Sequence, residues 1–217
     1  MESDFWHERW QLNQIGFHQD EINTHLTAFW QKLAVPKGST VFVPLCGKSS
    51  DMLWLRAEEY RVIGIELSPV AVEAFFDENG LEPEIEHLDE FARWSCDGIE
   101  ILVGDFFHLN PEILGRIDAI YDRASLIALP PEMRPDYVQH IHNLMEDGTP
   151  TLLVTMEYEQ NEMNGPPFAV HEDEVRQLYK ESEEVESLLT LDIFAESPHF
   201  AKRGLSALVE KVYRLKL

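Results

Sequence analysis

TVFVPLCGKSSD at residues 40–51 and RVIGIELSP at residues 61–69 decide how this chain folds. Residues 40–45 are a short apolar run with β-branched members, which reads as a strand. Residues 49–58 carry Met52, Leu53 and Leu55 at helical spacing. Residues 61–66 read as a second strand and 69–79 as a second helix, with Ser68 as N-cap, Pro69 in the first turn and Gly80 past the end. Downstream the alternation repeats. Strands are expected at 99–103, 117–121 and 151–156, and helices at 132–145 and 171–180. Residues 188–194 and 205–215 are strand-like with no long helix between them, which suggests a terminal antiparallel pair. Upstream, Ile22, Leu26, Phe29, Trp30 and Leu33 predict one amphipathic helix over about 20–34, behind a shorter first helix. Strands alternating with helices imply an α/β fold with a doubly wound, mostly parallel, seven-stranded sheet. One domain over 1–217 is expected, a helical segment at 1–34 capping a core at 35–217. Ligands on such sheets bind at the carboxyl ends of the strands, so the loops after strands 1 to 5 carry the functional residues.

Composition narrows the partners. The 217 residues are 44% hydrophobic, as in a globular domain. Lys and Arg number 17 against 40 Asp and Glu, a net charge of −23. That surface repels phosphate backbones and anionic lipid, so neither nucleic acid nor membrane is an expected partner. The acidic run ESEEVE at 181–186 reads as a solvated helix end or loop. The two cysteines, Cys46 and Cys96, make neither a disulfide framework nor a zinc site. No basic-then-apolar leader opens the sequence and no apolar stretch reaches about 20 residues, so a cytoplasmic location is expected.

Each loop then offers its chemistry. Gly47-Lys48-Ser49 matches the end of a Walker A motif, but Phe42 stands where its first glycine belongs. The GxGxxG fingerprint also fails, so no polyphosphate cradle is expected. An ordinary turn remains an alternative for Gly47. Glu66 ends strand 2, 19 residues beyond Gly47, the position of a carboxylate that accepts from ribose hydroxyls. Its bland alternative is a helix-capping acid. Asp105 after strand 3 can accept from an adenine amino group, with Phe106 or Phe107 covering the ring, although either phenylalanine also suits the core. Asp122-Arg123 after strand 4 is either an internal ion pair or an arginine at the mouth of a site. Together these point to an adenosine ligand without pyrophosphate, and S-adenosyl-L-methionine fits. Its sulfonium is stabilised by aromatic faces, which the tryptophan-rich N-terminus supplies.

Other chemistries find no support. There is no GxSxG elbow, and His7-Glu8 lacks the second histidine of HExxH. His140 and His142 diverge on a helix and read as surface residues, so no metal is expected.

The chain resembles the thiopurine S-methyltransferase family, bacterial type. The resemblance rests on Phe5-Trp6-His7-Glu8-Arg9-Trp10, Gly16-Phe17-His18-Gln19, Pro44-Leu45-Cys46-Gly47-Lys48-Ser49, Gly64-Ile65-Glu66, Tyr121-Asp122-Arg123, Gly165-Pro166-Pro167-Phe168 and Glu210-Lys211-Val212-Tyr213. It implies a Rossmann-like class I methyltransferase fold with an N-terminal helical lid. It implies cofactor contacts at Trp10, Leu45, Glu66, Asp105, Phe106 and Arg123, to which residue reading adds Gly47. It places Phe17, His18, Arg123, Pro166, Pro167 and Phe168 at the substrate. It implies methylation of aromatic and heterocyclic thiols, thiopurines included, and of selenium or tellurium species, with S-adenosyl-L-homocysteine as product and a monomeric enzyme. Family members carry a basic residue before the last strand, and His199, Lys202 and Arg203 all qualify. Because the leaving group is a neutral thioether, alignment of reactants does most of the work. Arg123 is expected to steady an anionic acceptor and His18 to assist weaker thiols. Two rivals are a related methyltransferase acting on halide or inorganic thiol, and a sensor that binds S-adenosylmethionine without turning it over.

Overall fold

The computed structural model describes residues 3–16 and 18–217. Phe17 lies outside the described residues. The predicted alternation is present: β1 (Thr40–Val43), α3 (Asp51–Ala57), β2 (Arg61–Glu66), α4 (Pro69–Glu78), β5 (Ile99–Val103), the one-turn α5 (Pro111–Leu114), β6 (Ala119–Arg123), α6 (Arg134–Leu144), β7 (Pro150–Glu157), α7 (Glu172–Leu178), β8 (Glu184–Asp192) and β9 (Val209–Lys216). The neighbours β5, β2, β1, β6 and β7 are parallel, while β9 runs antiparallel to β7 and β8 to β9.

The sheet has nine strands, in the order β3-β4-β5-β2-β1-β6-β7-β9-β8, rather than seven. The two additional strands form a hairpin, β3 (Glu84–His87) and β4 (Ala92–Cys96), antiparallel to β5. Every residue of β3 is exposed and every residue of β4 is half-buried, so neither shows the apolar run that announced the central strands.

Two cores fill the faces. One holds Leu26 and Trp30 with Met52, Leu55, Val72, Phe75 and Phe76 of α3 and α4. The other holds Tyr137, Val138 and Ile141 of α6 with Val175 of α7. Helices on both faces make the sheet doubly wound.

Several boundaries moved for local reasons. β1 ends at Val43 because Leu45 takes a positive φ of 45°. β6 begins and ends two residues later than expected, which puts Asp122 and Arg123 on the strand itself. A carboxylate is tolerated there because Asp122 Oδ2 accepts from the Tyr137 hydroxyl at 2.7 Å. The single helix expected at 20–34 is α2 (Thr24–Phe29) followed by a one-turn helix, Trp30–Leu33, while α1 (Ser3–Gln11) precedes both. The ESEEVE run is not a helix end or loop throughout. Its second half starts β8, where Glu184 and Glu186 lie 2.7 and 2.9 Å from the Arg214 guanidinium. His140 and His142 are half-buried rather than on the surface, and His140 packs edge-on to Phe106 at 4.9 Å. Ser68 stands at the N-cap of α4, but its backbone N–H donates to Glu66 instead of its side chain capping the helix.

Candidate active site

A parallel sheet whose order reverses at its first strand opens a crevice there, since the loops after neighbouring strands diverge to opposite faces. Here β1 lies between β2 and β6, so the crevice sits above Val43, Glu66 and Arg123. It consists of two lobes.

The first lobe is lined by Trp10, Leu45, Gly47, Glu66, Asp105 and Phe106, together with His18, Arg123, Pro166 and Pro167. Glu66 is 6% exposed. Its Oε2 accepts from the Gly47 N–H at 2.9 Å and its Oε1 from the Ser68 N–H at 2.8 Å. The ribose-acid and capping-acid readings are therefore not exclusive: these donors leave the carboxylate further acceptor capacity. Burial pushes this carboxyl up to about 7, against the backbone donors of Ser68, Gly47 and Leu67. Gly47 has φ 53°, and a Cβ there would lie 3.1 Å from the Trp10 ring. Glycine thus lets the indole close on the β1–α3 turn. Asp105 uses Oδ1 to accept from the Phe107 N–H at 2.9 Å. Phe106 is buried against Tyr137, with ring centroids 4.9 Å apart, and both Phe106 and Phe107 line the lobe.

The second lobe shares Trp6, His18, Arg123, Pro166 and Pro167 with the first and extends to Arg9, His199, Arg203 and Glu210. Three arginines gather here on a chain of net charge −23. Of the basic residues before the last strand, His199 and Arg203 line the lobe and Lys202 does not. Arg203 donates to the Pro166 carbonyl at 3.3 Å. Burial, then the charge of Lys48, lowers the His18 pKa, although Asp20 and Glu78 oppose them. The imidazole is therefore neutral near neutral pH. Phe168 lines neither lobe. Its ring packs on Gly165, whose φ of 72° bends the loop, and its N–H donates to the Ile127 carbonyl at 2.7 Å. Its place is behind the Pro166-Pro167 rim.

Arg123 is ion-paired, but not with Asp122. Its Nε lies 3.3 Å from Oδ2 of Asp51, which is 1% exposed and also accepts from the Tyr121 hydroxyl at 2.9 Å. Asp51 Oδ1 accepts from the Asn23 N–H at 2.8 Å. Sequence reading gave Asp51 no role. It also missed Trp6, Arg9 and Glu210 as lining residues, although all three lie in the motifs that carried the resemblance. Among the described residues no group of three or more His, Cys, Asp or Glu is placed to hold a metal ion, and no helix is long and apolar enough to cross a membrane.

The comparisons agree with this geometry. Solved structures with the same fold include the Burkholderia thailandensis 1,6-didemethyltoxoflavin-N1-methyltransferase, crystallised with bound 1,6-didemethyltoxoflavin and S-adenosylhomocysteine. Its TM-score is 0.64 at 14% identity, over 99% of this chain and 87% of that one. An S-adenosylmethionine-dependent methyltransferase from Anabaena variabilis matches with TM-score 0.64 at 13% identity, over 99% and 94%. Sequence relatives are far nearer. A thiopurine S-methyltransferase of Nitrosospira multiformis is 48% identical over 215 residues, 99% of this chain and 98% of the relative. One of Pseudomonas aeruginosa is 48% identical over 216 residues, 100% and 99%. The family model for thiopurine S-methyltransferase matches residues 1–217. The chain belongs to the thiopurine S-methyltransferase family of S-adenosylmethionine-dependent methyltransferases.

Proposed function

We propose that this protein transfers the methyl group of S-adenosylmethionine to the sulfur of aromatic and heterocyclic thiols, thiopurines among them, with selenium or tellurium species as further acceptors. The observation that carries the reading is a single cleft. It joins a lobe built around the buried Glu66 carboxylate to a lobe lined by Arg9, Arg123 and Arg203. The first lobe suits a sugar and an aromatic base, and the second suits an anion.

The residues present fit an adenosyl ligand. The free lone pairs of Glu66 match ribose hydroxyls, and the second oxygen of Asp105 matches an amino group on the base. Phe106 and Phe107 offer aromatic faces, while Leu45, Gly47 and Trp10 wall the remaining side. Bound there, the cofactor supplies an electrophilic methyl carbon on a cationic sulfur. Arg123, held through its Nε by Asp51, keeps its terminal nitrogens for an anionic acceptor or the cofactor carboxylate. Neutral His18 takes the proton of acceptors that arrive as S–H. Pro166 and Pro167 border the acceptor, and Phe168 supports them from behind. Residues 1–34 act as a lid, with Trp6 and Trp10 shielding the reacting atoms from water.

A methyl-transfer assay with labelled S-adenosylmethionine and a panel of thiophenols, thiopurines, selenite, tellurite, sulfide and halide tests the proposal. Turnover of the aromatic thiols is expected, ahead of halide and sulfide. A preference for halide or sulfide overturns the acceptor assignment. Tight cofactor binding without turnover of any acceptor supports the sensor instead.

A further inference from the structure

Glu210, on β9, is the one carboxylate among the described residues that line the acceptor lobe. Its side chain is 19% exposed, and its Oε2 lies 2.7 Å from Nε2 of His25, a buried residue of α2. An ionised carboxylate only accepts, so the imidazole donates. His25 is itself held, because its N–H donates to Asn23 Oδ1 at 2.9 Å and the Asn23 N–H is anchored on Asp51. One Glu210 oxygen is thus fixed by the N-terminal segment, while Oε1 has no hydrogen bond among the described residues. The lobe's other charged side chains, Arg9, Arg123 and Arg203, are cationic.

A lone carboxylate in such a lobe works against a purely anionic acceptor. It suits an acceptor that is anionic or nucleophilic at sulfur and carries a hydrogen-bond donor elsewhere on its ring. Heterocyclic thiols have that character: as thiones they hold the proton on a ring nitrogen, and the sulfur is a weaker nucleophile than the thiolate formed when that proton leaves. We propose that Glu210, positioned by His25, accepts the ring N–H proton of heterocyclic thione acceptors and so selects that acceptor class. This rests on the methyl-transfer reading above and names the acceptor chemistry of the same site. The N–H bond breaks and its electron pair moves through the ring as C=S becomes C–S⁻. The new sulfur–carbon bond forms at the methyl group as the sulfonium–carbon bond breaks, its electrons returning to the cofactor sulfur. The proton stays on the Glu210 carboxyl until the product leaves and solvent removes it.

The test compares pyridine-2-thione, which carries the ring N–H, with 4-nitrothiophenol, which is ionised at sulfur in neutral buffer and has none. Thione and thiolate absorb at different wavelengths, so the protonation state of bound pyridine-2-thione can be read in a complex with S-adenosylhomocysteine, without turnover. The wild-type protein is expected to bind it as the thiolate and Glu210→Gln to bind it as the thione. Glu210→Gln should lower kcat/KM for pyridine-2-thione by about 10²-fold or more and leave 4-nitrothiophenol nearly unchanged. The glutamine oxygen still accepts from His25, and a melting curve verifies the fold. His25→Gln, which leaves the carboxylate in place but loosens it, should show the same acceptor dependence more weakly. Equal losses with both acceptors, or a thiolate spectrum retained in Glu210→Gln, overturn the proposal. If wild type methylates neither thiol, the methyl-transfer reading fails first and takes this inference with it.

Discussion

At the residue scale the site depends on two buried carboxylates with opposite tasks. Glu66 has its carboxyl raised to about 7 by burial, so between the ordinary value of 4.5 and about 7 the folded chain keeps a proton that the unfolded chain has lost. Its contribution to stability therefore falls as pH rises through that window. Glu66→Gln removes this dependence. The variant's melting midpoint relative to wild type is expected to rise from pH 5 to pH 8, and parallel curves would contradict the assignment. The same variant should bind S-adenosylhomocysteine about 1–3 kcal/mol more weakly in calorimetry, the worth of hydrogen bonds to a charged acceptor. Asp51 acts through Arg123, whose Nε it holds while the Tyr121 hydroxyl and the Asn23 N–H donate to Asp51. Arg123→Ala should lower kcat/KM more for an anionic thiol than for a neutral one. Asp51→Asn should reproduce that bias, and the double variant should add little to it. Losses independent of acceptor charge would reduce the pair to a structural ion pair. Asp105 and Glu66 were legible from sequence because a strand end fixes where such a residue lies. The Asp51 pairing was not, since it joins positions 72 apart in the chain.

Elements, rather than single side chains, set the shape of the cofactor lobe. The β1–α3 turn rests on β2: the Cys46 N–H donates to the Ile65 carbonyl at 2.9 Å, and Cys46 Sγ would sit 2.7 Å from a Cβ on Gly64. Met52 Sδ would sit 3.2 Å from the same atom. Gly64 lines neither lobe, yet Gly64→Ala must displace the turn that carries Gly47. Destabilisation of about 1–3 kcal/mol and weaker cofactor binding are expected from melting and calorimetry, as for other overpacked cores. Cys46→Ala in the same chain should restore much of both by removing the obstructing sulfur. If it restores neither, the turn is not positioned through this contact. Secondary-structure legibility also follows the elements. Central strands with apolar runs were read nearly to the residue, as at Arg61–Glu66 and Ile99–Val103. The β3–β4 hairpin escaped because β3 is an exposed edge and β4 is half-buried throughout, so neither imposes a hydrophobic pattern.

For the whole molecule, charge is the dominant long-range term. A net charge of −23 on 217 residues repels itself in the compact state. Raising ionic strength from about 0.01 to about 0.15 M shortens the screening length from roughly 30 to 8 Å. The melting midpoint should rise with it, and a midpoint indifferent to salt would show that local ion pairs offset the repulsion. Within that anionic envelope the acceptor lobe collects Arg9, Arg123 and Arg203 from α1, β6 and the residue that caps α8 (Pro198–Lys202), three distant parts of the chain.

The alternation of the central strands and helices, the carboxylate at the end of β2, the glycine turn before α3 and the family were all determined by the sequence alone. Each is a local pattern: hydrophobic periodicity, turn chemistry, or a motif of adjacent residues. The tertiary structure alone decided which charges pair and which line the cleft. It set Asp51 rather than Asp122 against Arg123, Arg203 rather than Lys202 at the lobe, and His25 against Glu210, 185 residues away. The physical reason is that a buried charge takes whichever partner packing brings within hydrogen-bonding distance, and spacing along the chain does not encode that distance.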